Sequence, residues 1–135
     1  MIDTNAIIRA YLAADAGLIP LVNDRIFCPR LPENTALPAI SFFTRGGVVN
    51  PHIPDLVTPS VQFDCWAETS LTESGNIVAR RVYRALYDAL QGIENVAVGA
   101  NVIVSAIEEV QGQDLVDIEV SGYFRTLTFF QIMVR

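Results

Sequence analysis

The sequence predicts a single α+β domain: a mainly antiparallel sheet of four or five strands, with one long helix and N-terminal helices packed on one face. Three observations predict it. Over residues 61–68 side-chain character alternates, with Val61, Phe63, Cys65 and Ala67 on one face, the period of a half-buried strand. Immediately afterwards Ile77, Val78, Val82, Ala85, Leu86, Ala89 and Leu90 recur at helical spacing, an apolar stripe that must face a core. Strand-like runs lie on both sides of this one long helix, the pattern of helices layered on a sheet. With 135 residues the chain is one domain by length, able to bury roughly two-thirds of its unfolded surface.

Asp3 or Thr4 caps a first helix through about Ala14, with Ile7, Ile8, Tyr11 and Leu12 as its apolar stripe. Asp15 opens a second short turn, where Pro20 suits the first helical positions, and Asn23-Asp24 ends it. Residues 25–28 read as a brief strand, broken by Pro29 and Pro32. A further strand covers 37–44. Residues 45–60 then read as a long interface loop: Gly46, Gly47, Pro51, Pro54 and Pro59 punctuate it, yet it carries Val48, Val49, Ile53, Leu56 and Val57. Such loops in compact domains are usually functional or disordered, and an exposed apolar one is hard to justify in a monomer.

Ser70 and Glu73 stand at capping-box spacing before the long helix, and Gly92 stands where a left-handed stop is wanted. Residues 95–110 give one or two strands with a kink at Gly99-Ala100-Asn101. A turn follows at 111–114, and 116–134 forms the last strand or strand pair, bent at Ser121-Gly122. Leu127, Phe129 and Met133 fall on one face of it, and Phe130, Ile132 and Val134 on the other. A strand apolar on both faces belongs in the middle of a sheet or beneath a partner.

Composition narrows the function. Nine basic residues, all arginine, against fifteen acidic ones leave a net charge of −6, an unfavourable balance for binding nucleic acid. Lysine is absent, and with it the usual Schiff-base and phosphate-loop chemistry. Cys28 and Cys65 lack zinc or redox-motif spacing and read as two thiols in a reducing compartment. No apolar run approaches the ~20 residues of a membrane span, and Met1-Ile2-Asp3-Thr4 does not look like a signal peptide.

Each candidate site has a plain structural reading beside it. His52, the single histidine, lacks the partners that a base or metal ligand needs. Asp64, Glu68, Glu108, Glu109, Asp117 and Glu119 could converge on a divalent cation as in two-metal nucleases, but Asp64, Asp117 and Glu119 read as the solvated side of their strands. Arg80, Arg81 and Arg84 form a basic patch on the long helix. Its plain reading is a solvated face with an Arg84–Asp88 pair; the sharper one is an ion-pair surface for a neighbouring subunit. Gly46-Gly47 matches no phosphate-binding pattern. Trp66, on the face opposite Phe63, is either packed beneath a second layer or an interface anchor.

The segments "DRIFCPRLPENTALPAISFF", "VQFDCWAETSLTESGNIVARRVYRALYDAL" and "YFRTLTFFQIMVR" resemble, in content and order, the tail-completion or tail-terminator proteins of long-tailed bacteriophages and gene-transfer particles. The matching features are a helical start ending in "DRIF", the "LPAI" that begins a strand, a V-x-x-D-x-W strand running into a helix, and a final R-x-x-x-x-F-x-I strand. The resemblance covers nearly the whole chain. It implies a non-enzymatic virion protein without cofactor or metal, assembled in the bacterial host cytoplasm into a ring at the head-proximal end of the tail. That ring, usually a hexamer, ends tube polymerisation, contacts the tail-tube protein and joins the head–tail connector.

Six copies at −6 each would surround the channel with about −36 of formal charge, which lets DNA pass without specific binding. The residues expected at subunit or tube contacts are Arg45, Val48, Val49, Ile53, Leu56, Val57, Trp66, Arg80, Arg81 and Arg84. The alternatives are another neck or minor tail adaptor, or a carboxylate-metal hydrolase or nuclease.

Overall fold

The computed structural model describes residues 2–116 and 122–135. Among them the elements run α1 (Thr4–Ala13), α2 (Ile19–Val22), β1 (Ile26–Phe27), β2 (Ala39–Val49), β3 (Val57–Glu68), α3 (Gly75–Leu90), β4 (Glu94–Val98), β5 (Asn101–Val116) and β6 (Tyr123–Val134). The α+β domain with helices on one face is present, but its sheet has six strands rather than four or five. Their order is β1-β2-β3-β6-β5-β4, antiparallel at every pairing except the parallel β1–β2. The extra strands come from short pieces at the ends: β1 is two residues, and Gly99 at positive φ turns β4 back into β5. Helix α1 packs against both β1 and β4, the first and last strands of the order, so the sheet curls around it.

The core lies entirely on the helix-covered face. Ile8, Leu12, Leu18, Val22, Val82, Leu86 and Leu90 from the helices meet Ile40, Phe42, Val61, Phe63, Ile103, Phe130, Ile132 and Val134 from the sheet, all fully buried. Phe63 sits between Phe42 and Phe130 at centroid distances of 5.6 and 5.8 Å, edge-on to the second, a favoured arrangement of aromatic quadrupoles. Cys65 is buried in the same face, and desolvation pushes its thiol pKa up strongly.

Several local expectations change. Strand β2 does not stop at Thr44; it runs to Val49 and pairs with β3 from Val57 onward, so the loop shrinks to residues 50–56 and the rest of 45–60 is a hairpin arm. The glycines permit this continuation. Gly46 and Gly47 take φ of 90° and 145° at a register shift, and a Cβ on Gly47 would stand 2.3 Å from the Thr58 carbonyl oxygen. They therefore form a bulge where two strands approach closely instead of ending one.

The turn expected at 111–114 is likewise absent: β5 continues to Val116 through shifts of register around Val110. Gly112 passes beneath the Tyr83 ring with no room for a Cβ. The bend expected at Ser121-Gly122, together with Asp117 and Glu119, falls largely outside the described residues; Gly122 itself has φ of 88°.

Helix α3 begins at Gly75, not at the Ser70–Glu73 box. Ser70 Oγ does accept the Glu73 N–H at 3.2 Å, but Glu73 bonds Arg81 at 2.8 Å instead of reaching back. The box closes a turn one step before the helix, and Thr69 Oγ1 accepts the Gly75 N–H at 3.1 Å. Ile77, expected in the apolar stripe, is 57% exposed because it lies on the helix face turned away from the buried Gly75, Ala79 and Val82. Gly92 does adopt the left-handed conformation after α3, with φ of 77°.

Candidate subunit interface

The second face of the sheet carries no helix among the described residues. The register of β2, β3, β6 and β5 places Ser41, Phe43 and Arg45, then Gln62, Asp64 and Trp66, then Arg125, Leu127, Phe129 and Met133, then Ile107, Val110 and Leu115 on it. Phe43, Trp66, Leu127, Phe129 and Met133 are each partly covered by neighbours in the sheet. Ile107 is 53% exposed. The same register brings Ser60, Ser105, Gln113 and Gln131 to it as well, so the face interleaves apolar and polar side chains, with one buried polar island.

That island is centred on Asp64. The sequence pattern assigned it to solvent, yet it is 4% exposed, because Arg125 and Trp66 lean over it. Arg125 Nη1 reaches the carboxylate at 3.4 Å, Gln62 Nε2 donates to it at 3.2 Å, and the guanidinium lies 5.2 Å from the Trp66 ring centroid. Burial raises the Asp64 pKa; the nearby Arg125 charge and the Gln62 hydrogen bond offset only part of that. Trp66 Nε1 donates to Ser41 Oγ at 2.9 Å. Trp66 is thus half-buried and anchored at one edge, with no second layer above it among the described residues.

The β2–β3 arm projects from one end of the sheet, with Val48 on the open face and Val49 paired to Val57 on the helix side. Val48, Val49 and Ile53 are 61%, 84% and 52% exposed, Leu56 and Val57 are half-buried, and Val57 packs against the core. Asn50 Oδ1 accepts the N–H groups of His52 and Ile53 at 3.0 and 3.2 Å, which folds the tip into a compact turn. A mostly apolar cleft of about 570 Å³ opens between the arm and the N-terminus, lined by Ile2, Val48, Val49, Pro54, Leu56 and Val57 among others. Arg45 lies over the Phe129 ring at 4.9 Å, tying the arm to the open face.

The three helix arginines separate. Arg80 pairs with Asp114 of β5 at 3.2 Å and lies over the Tyr83 ring, while Arg81 pairs with Glu73. Both pairs are about two-fifths exposed and individually worth little. Arg84 alone is exposed without an ion pair among the described residues, so the Arg84–Asp88 pair expected from spacing is not formed. As an ion-pair surface for a neighbour, the patch reduces to one residue.

Glu108, another carboxylate of the suspected cation cluster, faces α3 instead. It accepts from Tyr83 Oη at 2.7 Å and from Thr128 Oγ1 at 2.8 Å, and the Tyr83 oxygen accepts the Gly112 N–H at 3.1 Å. Burial and this carboxylate raise the Tyr83 pKa. Glu109 accepts from Ser60 Oγ on the opposite face at 2.8 Å. The carboxylates thus point to different faces of the sheet, and among the described residues no group of three or more His, Cys, Asp or Glu side chains is placed to hold a metal ion.

Reasoning from sequence missed Phe43, Arg125 and Val110 as parts of the open face. The two-faced apolar pattern of β6 was the signal that pointed there, since it already named Leu127, Phe129 and Met133. No described helix is long and apolar enough to cross a membrane. No protein-family model matches the chain, and no curated protein matches it either.

Proposed function

We propose that this chain is a structural subunit that assembles with copies of itself into a ring at the head-proximal end of a phage-type tail, ending growth of the tail tube and meeting the head connector. One observation carries the reading most directly: among the described residues a sheet face bearing Phe43, Trp66, Leu127, Phe129 and Met133 has no covering layer, and the arm beside it exposes Val48, Val49 and Ile53. Apolar surface of this extent on a small domain is the mark of a protein–protein contact. The whole-chain resemblance to tail terminators supplies the kind of assembly. The acidic balance suits a channel that DNA slides through.

Purified protein imaged by negative stain, alone and with tail tubes, tests the reading. Rings capping one end of each tube, with tube elongation arrested, are the expected result. A protein that stays monomeric at high concentration and leaves tubes uncapped and growing would refute it. Binding to connector but not to tubes would instead mark a neck adaptor.

A further inference from the structure

Two long strand edges are left open, and their placement is diagonal. Strand β1 covers β2 only at Ile40 and Ser41, so the far edge of residues 43–49 has no strand beside it among the described residues. Strand β4 covers β5 only from Asn101 to Ser105. Just beyond, the α3–β4 connection takes the next backbone groups: Gly92 N–H bonds the Ala106 carbonyl and Gln91 Oε1 accepts the Glu108 N–H. From Glu109 to Val116 the outer edge of β5 has no strand beside it among the described residues, and there Gly112 engages Tyr83 and Arg80 through its backbone. The open edge of β2 lies toward the arm, and that of β5 toward the opposite end of the sheet.

We infer that these two edges are the ring contact: residues 43–49 of β2 in one copy pair antiparallel with residues 109–116 of β5 in the next, making one sheet continuous around the ring. This rests on the ring reading above and names the surface that would build it. Charge favours the match. Residues 43–49 carry Arg45 and no carboxylate, whereas 109–116 carry no cation and two carboxylates: Asp114, which Arg80 already pairs on the helix-covered side, and Glu109 on the open face with Arg45. Stubs β1 and β4 stand at opposite heights, so each fills the step beside the other copy's open edge.

The stagger also has the size that closure requires. Gly46, midway along the open β2 edge, lies level with about Gln131 of β6, while Gln113 of β5 pairs with Leu127. Four residues along a strand are about 13 Å, and the four strand spacings from β2 to the next copy's β2 are about 19 Å. Their ratio corresponds to strands tilted by about 35° from the ring axis, a slope typical of closed barrels. Because the two edges differ and lie on opposite sides, the contact is head-to-tail, which closes a ring when the rotation permits.

Arg45 and Gln113 are exposed and share the open face, so a disulfide between them reports the contact without disturbing the core. In a Cys28→Ser background, Arg45→Cys and Gln113→Cys variants are mixed and oxidised at the ring-forming concentration, or on tail tubes. The expected result is a 45–113 dimer in the mixture and little in either variant alone, with the double variant giving a ladder up to the full ring. Rings visible by negative stain with no 45–113 bond would overturn the edge pairing while leaving the ring reading standing. A 45–45 bond would replace it by a two-fold arm contact. No assembly under any condition would remove both.

Discussion

On the helix-covered face of the sheet, Phe42, Phe63 and Phe130 are fully buried among aliphatic side chains from three helices. On the other face of the same strands, Phe43, Trp66 and Phe129 are of similar size but only partly covered. The first face also hides a polar seam, Tyr83–Glu108–Thr128, in which all three side chains are hydrogen-bonded. The second hides a single carboxylate, Asp64, whose neighbours compensate its burial incompletely. Alternating strand geometry delivers large apolar groups to both sides equally; what differs is whether the chain itself provides a cover. The difference teaches where stability ends and recognition begins. One face holds the fold together, and the other is the surface that the proposed assembly would use.

The contrast can be broken most forcefully on the covered face. Phe63→Ala removes the ring between Phe42 and Phe130 and should cost ~3–5 kcal/mol in chemical denaturation; a loss below about 1 kcal/mol would mean that the core is not where the aromatic trio places it. Next comes the hinge between core and arm. Gly47→Ala forces a Cβ against the Thr58 carbonyl at a φ of 145°, with an expected cost of about 1–3 kcal/mol. Its effect on hydrogen exchange should be concentrated in residues 45–60.

Smaller still is the effect on the monomer of altering the exposed surface. Val49→Asp should change unfolding stability by no more than about 0.5 kcal/mol yet abolish ring formation or tube capping in sedimentation and negative stain. An unchanged assembly would show that the arm is not a contact.

The finest test is the pH dependence of the open face. Because burial raises the folded pKa of Asp64 above its unfolded value, its contribution to stability is fully present below the unfolded carboxylate range and is lost as pH rises through the folded pKa. Wild type should therefore gain stability relative to Asp64→Asn on going from neutral to acidic pH, read from paired denaturation curves. A difference that moves the other way would mean that Arg125 dominates the site.

Much of this organisation is legible in the residues. The alternation of Val61, Phe63, Cys65 and Ala67, the stripe Val82, Leu86, Ala89 and Leu90, and the left-handed Gly92 specify strand, helix and stop locally, since each depends on neighbours within a turn or two of chain. The two-faced pattern of β6 pointed correctly to a central strand. Less legible were Gly46-Gly47 and Gly112, because glycine marks a chain break and a close approach alike, and only the opposing Thr58 carbonyl or Tyr83 ring distinguishes them. The helix arginines looked like one patch; two are tied to Asp114 and Glu73, and a partner from β5 is invisible to helical spacing.

By itself, then, the sequence determined the class of domain, the position of its long helix and the residues that form its core, because periodic burial is a local property that a one-dimensional pattern records. Only the tertiary structure decided that β2 and β3 extend into an arm, that Asp64 is bonded by Arg125 and Gln62, and that one sheet face has no layer over it among the described residues. Those outcomes depend on which distant strands become neighbours, and the pairing of strands far apart in the chain is set by the packing of the whole sheet rather than by any single segment.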